Sequence, residues 1–147
     1  RSATKLEQII AIEHSLADPQ KQSDIAWEIL WSDPCHITQF NDMADVGESS
    51  TEDIENGFIH NAKRGTAYYF NEFAAKYFIQ ENGLSHIVRA HEVPQCGYTF
   101  HFGNKCATIF SCSHYCGNNN DCVMLLVDQG LLRMLRVDTT NNGPATD

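Results

Sequence analysis

Four short stretches of the chain carry side chains that could do chemistry. Arg89-Ala90-His91-Glu92 closes an apolar run. Ligands in α/β folds collect beyond the carboxyl ends of strands, and a neutral imidazole there is a good transition-metal ligand. A hydrogen-bonded core histidine is the plainer reading of the same residue. Asn61-Ala62-Lys63-Arg64-Gly65 sets an arginine before a glycine that lets the backbone turn tightly. A guanidinium in such a place could fork onto two phosphate oxygens, or simply be a solvated loop cation. Ser111-Cys112-Ser113-His114-Tyr115-Cys116-Gly117 is a small polar loop between two β-like runs, the kind of segment that carries function on a rigid scaffold. Its Cys112, His114 and Cys116, with Cys122, allow a zinc site, although the spacing departs from the paired cysteines of common structural zinc motifs. In Trp31-Ser32-Asp33-Pro34 the proline holds Asp33 extended, where its carboxylate can cap or turn the chain.

The chain of 147 residues suits one domain or a large part of one, with 42% hydrophobic residues to supply a core. Ten basic residues against nineteen acidic ones give a net charge of −9, which argues against a nucleic-acid surface. No apolar run approaches the ~18 residues of a membrane-spanning helix. The chain opens with neither an initiator methionine nor a signal peptide, so it reads as a piece of something longer. Six cysteines at irregular spacing predict reduced thiols in a cytoplasmic or nuclear protein.

Thr4 and Glu7 read as a capping box that opens a helix over 4–15. Residues 25–30 form a short apolar piece that Pro34 stops. The stretch 35–60 holds Asp42, Asp45, Glu48, Glu52, Asp53 and Glu55 with no lysine or arginine, and predicts a long acidic, solvated loop. Phe70, Phe73, Ala74, Tyr77 and Phe78 recur at helical spacing, with Asn71 as N-cap and Gly83 just past the end. Residues 84–90 read as a buried strand. From Gly97 onward the pattern is β, with a hairpin turn at Asp128-Gln129-Gly130. The domain is expected to occupy 1–138, followed by a disordered tail over 139–147.

Taken in order, Trp31-Ser32-Asp33-Pro34, Asn61-x-x-Arg64-Gly65, Arg89-Ala90-His91-Glu92, Gly97-Tyr98 and Thr108-Ile109-Phe110-Ser111-x-x-x-Tyr115-Cys116-Gly117 resemble the PPP family of metallophosphatases. The family pattern is W-S-D-P, N-x-x-R-G, R-A-H-Q/E, G-Y and T-I/L-F-S-A-P-N-Y. The resemblance runs from about Leu6 to Val137. Phe58-Ile59-His60-Asn61 and Tyr68-Tyr69-Phe70 lean toward the calcineurin-like branch, whereas Tyr115-Cys116-Gly117 is more similar to other branches. Two departures stand out: a longer insertion before Arg64, and Cys112-Ser113-His114 in place of the family's Ala-Pro-Asn.

The resemblance implies an α/β fold, the C-terminal half of a calcineurin-like metallophosphoesterase β-sandwich. It implies a serine/threonine protein phosphatase with two metal ions (manganese, iron or zinc) whose activated water attacks phosphorus in line. His91 would ligate one metal. Arg64 would bind the phosphate oxygens as a catalytic residue, Tyr115 would line the site, and Asp33 would orient its neighbours. The family's G-D-x-H-G, G-D-x-V-D-R-G and G-N-H-E motifs do not occur in this sequence. The chain alone is therefore expected to be inactive, with Phe70, Phe73, Phe100, Phe102 and Phe110 as candidates for apolar exposure. Its expected partners are phosphoserine and phosphothreonine proteins, the N-terminal half of the domain, and a regulatory subunit. A non-catalytic interaction module derived from the same fold is the rival reading.

Overall fold

The computed structural model describes residues 1–45 and 49–137. It divides into two compact units, Arg1–Ile87 with His101–Cys106, and Val88–Phe100 with Ala107–Asp147.

In the first unit the chain runs through α1 (Leu6–Ile10), α2 (Pro19–Gln22), α3 (Asp24–Trp31), β1 (Asp33–Pro34), α4 (Ile37–Ala44), α5 (Thr51–Glu55), β2 (Phe58–His60), β3 (Tyr68–Phe70) and α6 (Glu72–Glu81). The central strand of its small sheet is β3, parallel to β1 and antiparallel to β2. Asp33 sits opposite Tyr69, and Ile59 sits opposite the same Tyr69 from the other side. Cys35, Phe40, Ile59 and Tyr69 form the buried cluster, with Met43, Ala44 and Ile54 packed against it.

The helix predicted between an Asn71 cap and Gly83 is α6. Asn71 caps it by accepting from the Ala74 amide at 3.2 Å, and Ala74, Ala75 and Ile79 face inward. The helix predicted over 4–15 is shorter, Leu6–Ile10, and Gln8 rather than Glu7 reaches back, its Oε1 accepting from the amides of Thr4 and Lys5. Leu6 and Ile9 are half-buried but Ile10 stays 73% exposed, so little packing supports an extension of so short a helix. The stretch 35–60, expected as a solvated loop, contains α4, α5 and β2. Asp42, Asp45, Glu52 and Glu55 are exposed while Phe40 and Ile59 enter the core, so composition reported the solvent side and hid the apolar anchors. Glu48 lies outside the described residues.

The remaining strands are β4 (Ile87–Arg89), β5 (Tyr98–His101), β6 (Cys106–Ile109), β7 (Cys122–Asp128) and β8 (Leu131–Val137), with a 3₁₀ turn at Tyr115–Gly117. One sheet has the order β4-β6-β5, and β7 pairs with β8 as a separate antiparallel hairpin. The second unit buries Ala107, Thr108, Asn120 and Val123. Residues 84–90 do not form a buried strand: only Ile87–Arg89 is extended, and Val88 is exposed. Of the five phenylalanines expected to be exposed, Phe73 and Phe100 are, whereas Phe70 and Phe102 pack edge-on at 6.0 Å. The tail beyond Val137 lies outside the described residues. No helix among the described residues is long and apolar enough to cross a membrane.

Candidate phosphate-binding and catalytic residues

In the first unit, β1 and the loop after β2 bring Asp33 and Arg64 together. Asp33 is 1% exposed, and its Oδ2 accepts from Arg64 Nε at 2.9 Å and from Asn61 Nδ2 at 3.0 Å. Two donors on one oxygen compensate much of the desolvation of a buried carboxylate. Asn61, fully buried, does more than this. Its Oδ1 accepts from the Arg64 amide at 3.1 Å, and its carbonyl accepts from the amides of Arg64 and Gly65. Its own amide donates to Ala67 O, which closes the loop on itself. Trp27 Nε1 donates to Thr66 Oγ1 at 2.8 Å, which ties the same loop to α3. Arg64 is thus held at its base and along its stem, with its side chain 24% exposed. A guanidinium held in a fixed orientation through Nε is of the type that recognises oxyanions.

In the second unit, His91 follows β4 with φ 83, a left-handed conformation rare for a non-glycine residue. Its Nδ1 is buried. The residues on either side hold the turn: Arg89 Nη1 donates to Glu92 Oε2 at 2.8 Å and to Oγ1 of the buried Thr108 at 3.4 Å. Tyr115 lies in the 111–121 loop, 45% exposed, with its ring edge-on to Phe110 at 5.2 Å. His114, Cys116 and Gly117 all have positive φ (53, 52 and 80). A loop folded that tightly needs internal partners, and Asn120 supplies them. Its Oδ1 accepts from the Tyr115 amide at 2.9 Å, its Nδ2 donates to Cys112 O at 2.7 Å and to Asp121 O at 3.1 Å, and its carbonyl accepts from the His114 amide.

The residues named from sequence therefore divide between the units: Asp33 and Arg64 form one cluster, and His91 and Tyr115 belong to the other unit. Asn61 and Asn120 carry as much of the local architecture and were not singled out. Asn61 stood inside the Asn-x-x-Arg-Gly pattern. Asn120 ended a run of three asparagines that reads as an ordinary solvated turn.

The donors present do not make a metal site by themselves. Among the described residues no group of three or more His, Cys, Asp or Glu is arranged to hold an ion. Cys112, His114, Cys116 and Cys122, the residues of the zinc reading, do not form such a group. None of the six cysteines forms a disulfide.

No family model matches the chain. Sequence relatives do. The chain is 32% identical over 111 residues to human serine/threonine-protein phosphatase 5, covering 76% of this chain and 18% of that protein. It is 29% identical over 136 residues to the Saccharomyces cerevisiae serine/threonine-protein phosphatase 2B catalytic subunit A2, covering 77% of this chain and 22% of that protein. A protein phosphatase 2A catalytic subunit from Dictyostelium discoideum is 29% identical over 115 residues, with 78% of this chain and 30% of that protein covered. The chain belongs to the PPP family of serine/threonine phosphatases. It spans less than a third of the length of these relatives. A solved protein serine/threonine phosphatase from Saccharomyces cerevisiae, with similarity to human phosphatase PP5, shares the fold with a TM-score of 0.64 at 23% identity, over 97% of this chain and 42% of that one. The mixed α/β architecture expected for this family segment is the one found.

Proposed function

We propose that this PPP-family chain is part of a metal-dependent protein serine/threonine phosphatase, in which Arg64 binds the phosphate of a phosphoserine or phosphothreonine side chain. The observation that carries the reading is the buried Asp33 carboxylate holding Arg64 Nε at 2.9 Å. A guanidinium preset in this way meets the growing charge on phosphoryl oxygens without reorganising when the reaction occurs. Tyr115 would line the phosphate site of the whole domain, and Asp33 acts through Arg64 rather than on the substrate. His91 would be one nitrogen donor toward the metal ions, whose charge would neutralise the phosphate. No group of three or more such donors forms among the described residues, so the 147-residue chain is not expected to hold those ions or to hydrolyse phosphate alone.

The test is hydrolysis of p-nitrophenyl phosphate with manganese, by this chain and by a longer protein that supplies the family's metal-binding motifs. Activity only in the longer protein, lost in His91→Ala and reduced ~10²–10³-fold in Arg64→Ala, supports the reading. Hydrolysis by the short chain would refute its dependence on donors from elsewhere. No hydrolysis by either protein would favour a phosphatase-derived interaction module.

A further inference from the structure

The loop that carries Tyr115 is organised by a single asparagine five residues further on. Asn120 is 2% exposed, and its side-chain oxygen, side-chain nitrogen and carbonyl are all used inside the segment 112–121. It holds Tyr115 by the backbone amide, Cys112 by the carbonyl, and His114 through its own carbonyl. This clamp spans the three residues with positive φ, each of which costs on the order of 1 kcal/mol when it is not glycine. Without Asn120, the Cys112 carbonyl and the Tyr115 amide would both need new partners, and the strained turn would relax. The Tyr115 ring is half-exposed and rests edge-on against Phe110, so its position depends on where the backbone holds it.

We infer that Asn120 is the positioning residue of Tyr115: it acts on phosphate only through the place it gives that ring. The inference rests on the proposed role of Tyr115 at the phosphate site, while the hydrogen-bond clamp can be tested without it.

The first measurement is amide hydrogen exchange on this chain, for the parent sequence, Asn120→Ala and Asn120→Asp. The Val123 amide, bonded to Phe110 O at 3.0 Å, serves as the internal control for folding. Loss of one hydrogen bond should speed exchange of the Tyr115 amide about tenfold while Val123 stays protected. Asn120→Asp keeps an acceptor for Tyr115 and should restore part of the protection, so it decides the question if the alanine variant fails to fold. Unchanged Tyr115 exchange in a variant with Val123 still protected overturns the inference.

The second measurement is kinetic, in the longer protein. Asn120→Ala should lower kcat about tenfold with KM nearly constant, and this loss should vanish in a Tyr115→Phe background, because two residues that act as one unit are not additive. A full loss in both backgrounds would make Asn120 merely structural and overturn the assignment. If the longer protein hydrolyses nothing, the phosphatase reading fails, and with it the functional half of the inference. The exchange data still decide whether Asn120 holds Tyr115.

Discussion

Arg64 Nε lies 2.9 Å from Oδ2 of Asp33, and the two partners are unequally exposed: 24% for the Arg64 side chain and 2% for that of Asp33. The asymmetry predicts which partner is more costly to remove. Arg64→Ala takes the cation away from a buried carboxylate, which at such sites costs roughly 3–5 kcal/mol. Asp33→Asn leaves an arginine that water can reach, and should cost less, about 1–2 kcal/mol. Urea unfolding of the two variants checks the order, and equal losses would mean that the carboxylate is not dependent on Arg64. Arg64→Lys should keep part of the stability but little of the proposed phosphate recognition, because a single ammonium lacks the planar fork.

Gly97 has φ +78, and a Cβ there would stand 2.7 Å from Val123 Cγ2 and 3.1 Å from Asp121 O. Val123 is fully buried, so it has little room to yield. Gly97→Ala should therefore combine backbone strain with overpacking and cost roughly 2–4 kcal/mol. Gly117 in the same unit has φ +80 and nothing within 4 Å of its Cβ position, so Gly117→Ala should show the strain alone, about 1 kcal/mol. Thermal unfolding of the pair separates the two contributions. Glycine before Tyr98 is thus required by close packing against β7 as well as by its own backbone angle.

The Asp53 carboxylate predicts an acid-sensitive contact. Burial alone would raise its pKa, but hydrogen bonding from Arg1 and Ser50 and the Arg1 charge outweigh burial and hold it below the ordinary carboxylate value. A group whose pKa is lowered on folding contributes its full stability above the unfolded value of about 4, and loses it as pH falls through the folded value. The stability difference between the parent chain and Asp53→Asn should be constant from pH 7 to 5 and shrink below about pH 4. A difference that persists at pH 3 would show that the charge of Asp53 is not what stabilises the contact.

Legibility in the sequence followed how local the cause was. Helix α6 could be read because its cap, spacing and stop all sit within one segment. The Arg64 site was legible as a pattern, but its pairing with Asp33 was not: the partners are separated by 31 residues and meet only because β1 lies parallel to β3. The stretch 35–60 misled because its helices are short, eight and five residues, and α5 has three acids to one apolar residue. Ser50, which caps α5 by accepting from the Asp53 amide, was the signal available there. Asn120 left no trace, since an amide buried by a folded loop looks in sequence like any turn residue.

The β7–β8 hairpin carries the last prediction. Its register sets Met124 opposite Leu135, Leu126 opposite Arg133, and Asp128 opposite Leu131. Directly opposed residues share a face, so Met124, Leu126, Leu131 and Leu135 form one apolar surface, all exposed, interrupted by Arg133 and bounded at the turn by Asp128. An uncovered apolar strand pair of this kind favours self-association. The net charge of −9 opposes it by repulsion, which salt screens. The chain should therefore associate more at about 0.5 M than at about 0.05 M sodium chloride, by light scattering behind size exclusion. Leu126→Glu and Leu135→Glu should each keep it monomeric at both salt concentrations without a loss of far-ultraviolet circular dichroism. Association that the two glutamates leave unchanged would move its cause to another surface, with the exposed Phe73 and Tyr77 of α6 as the next place to substitute.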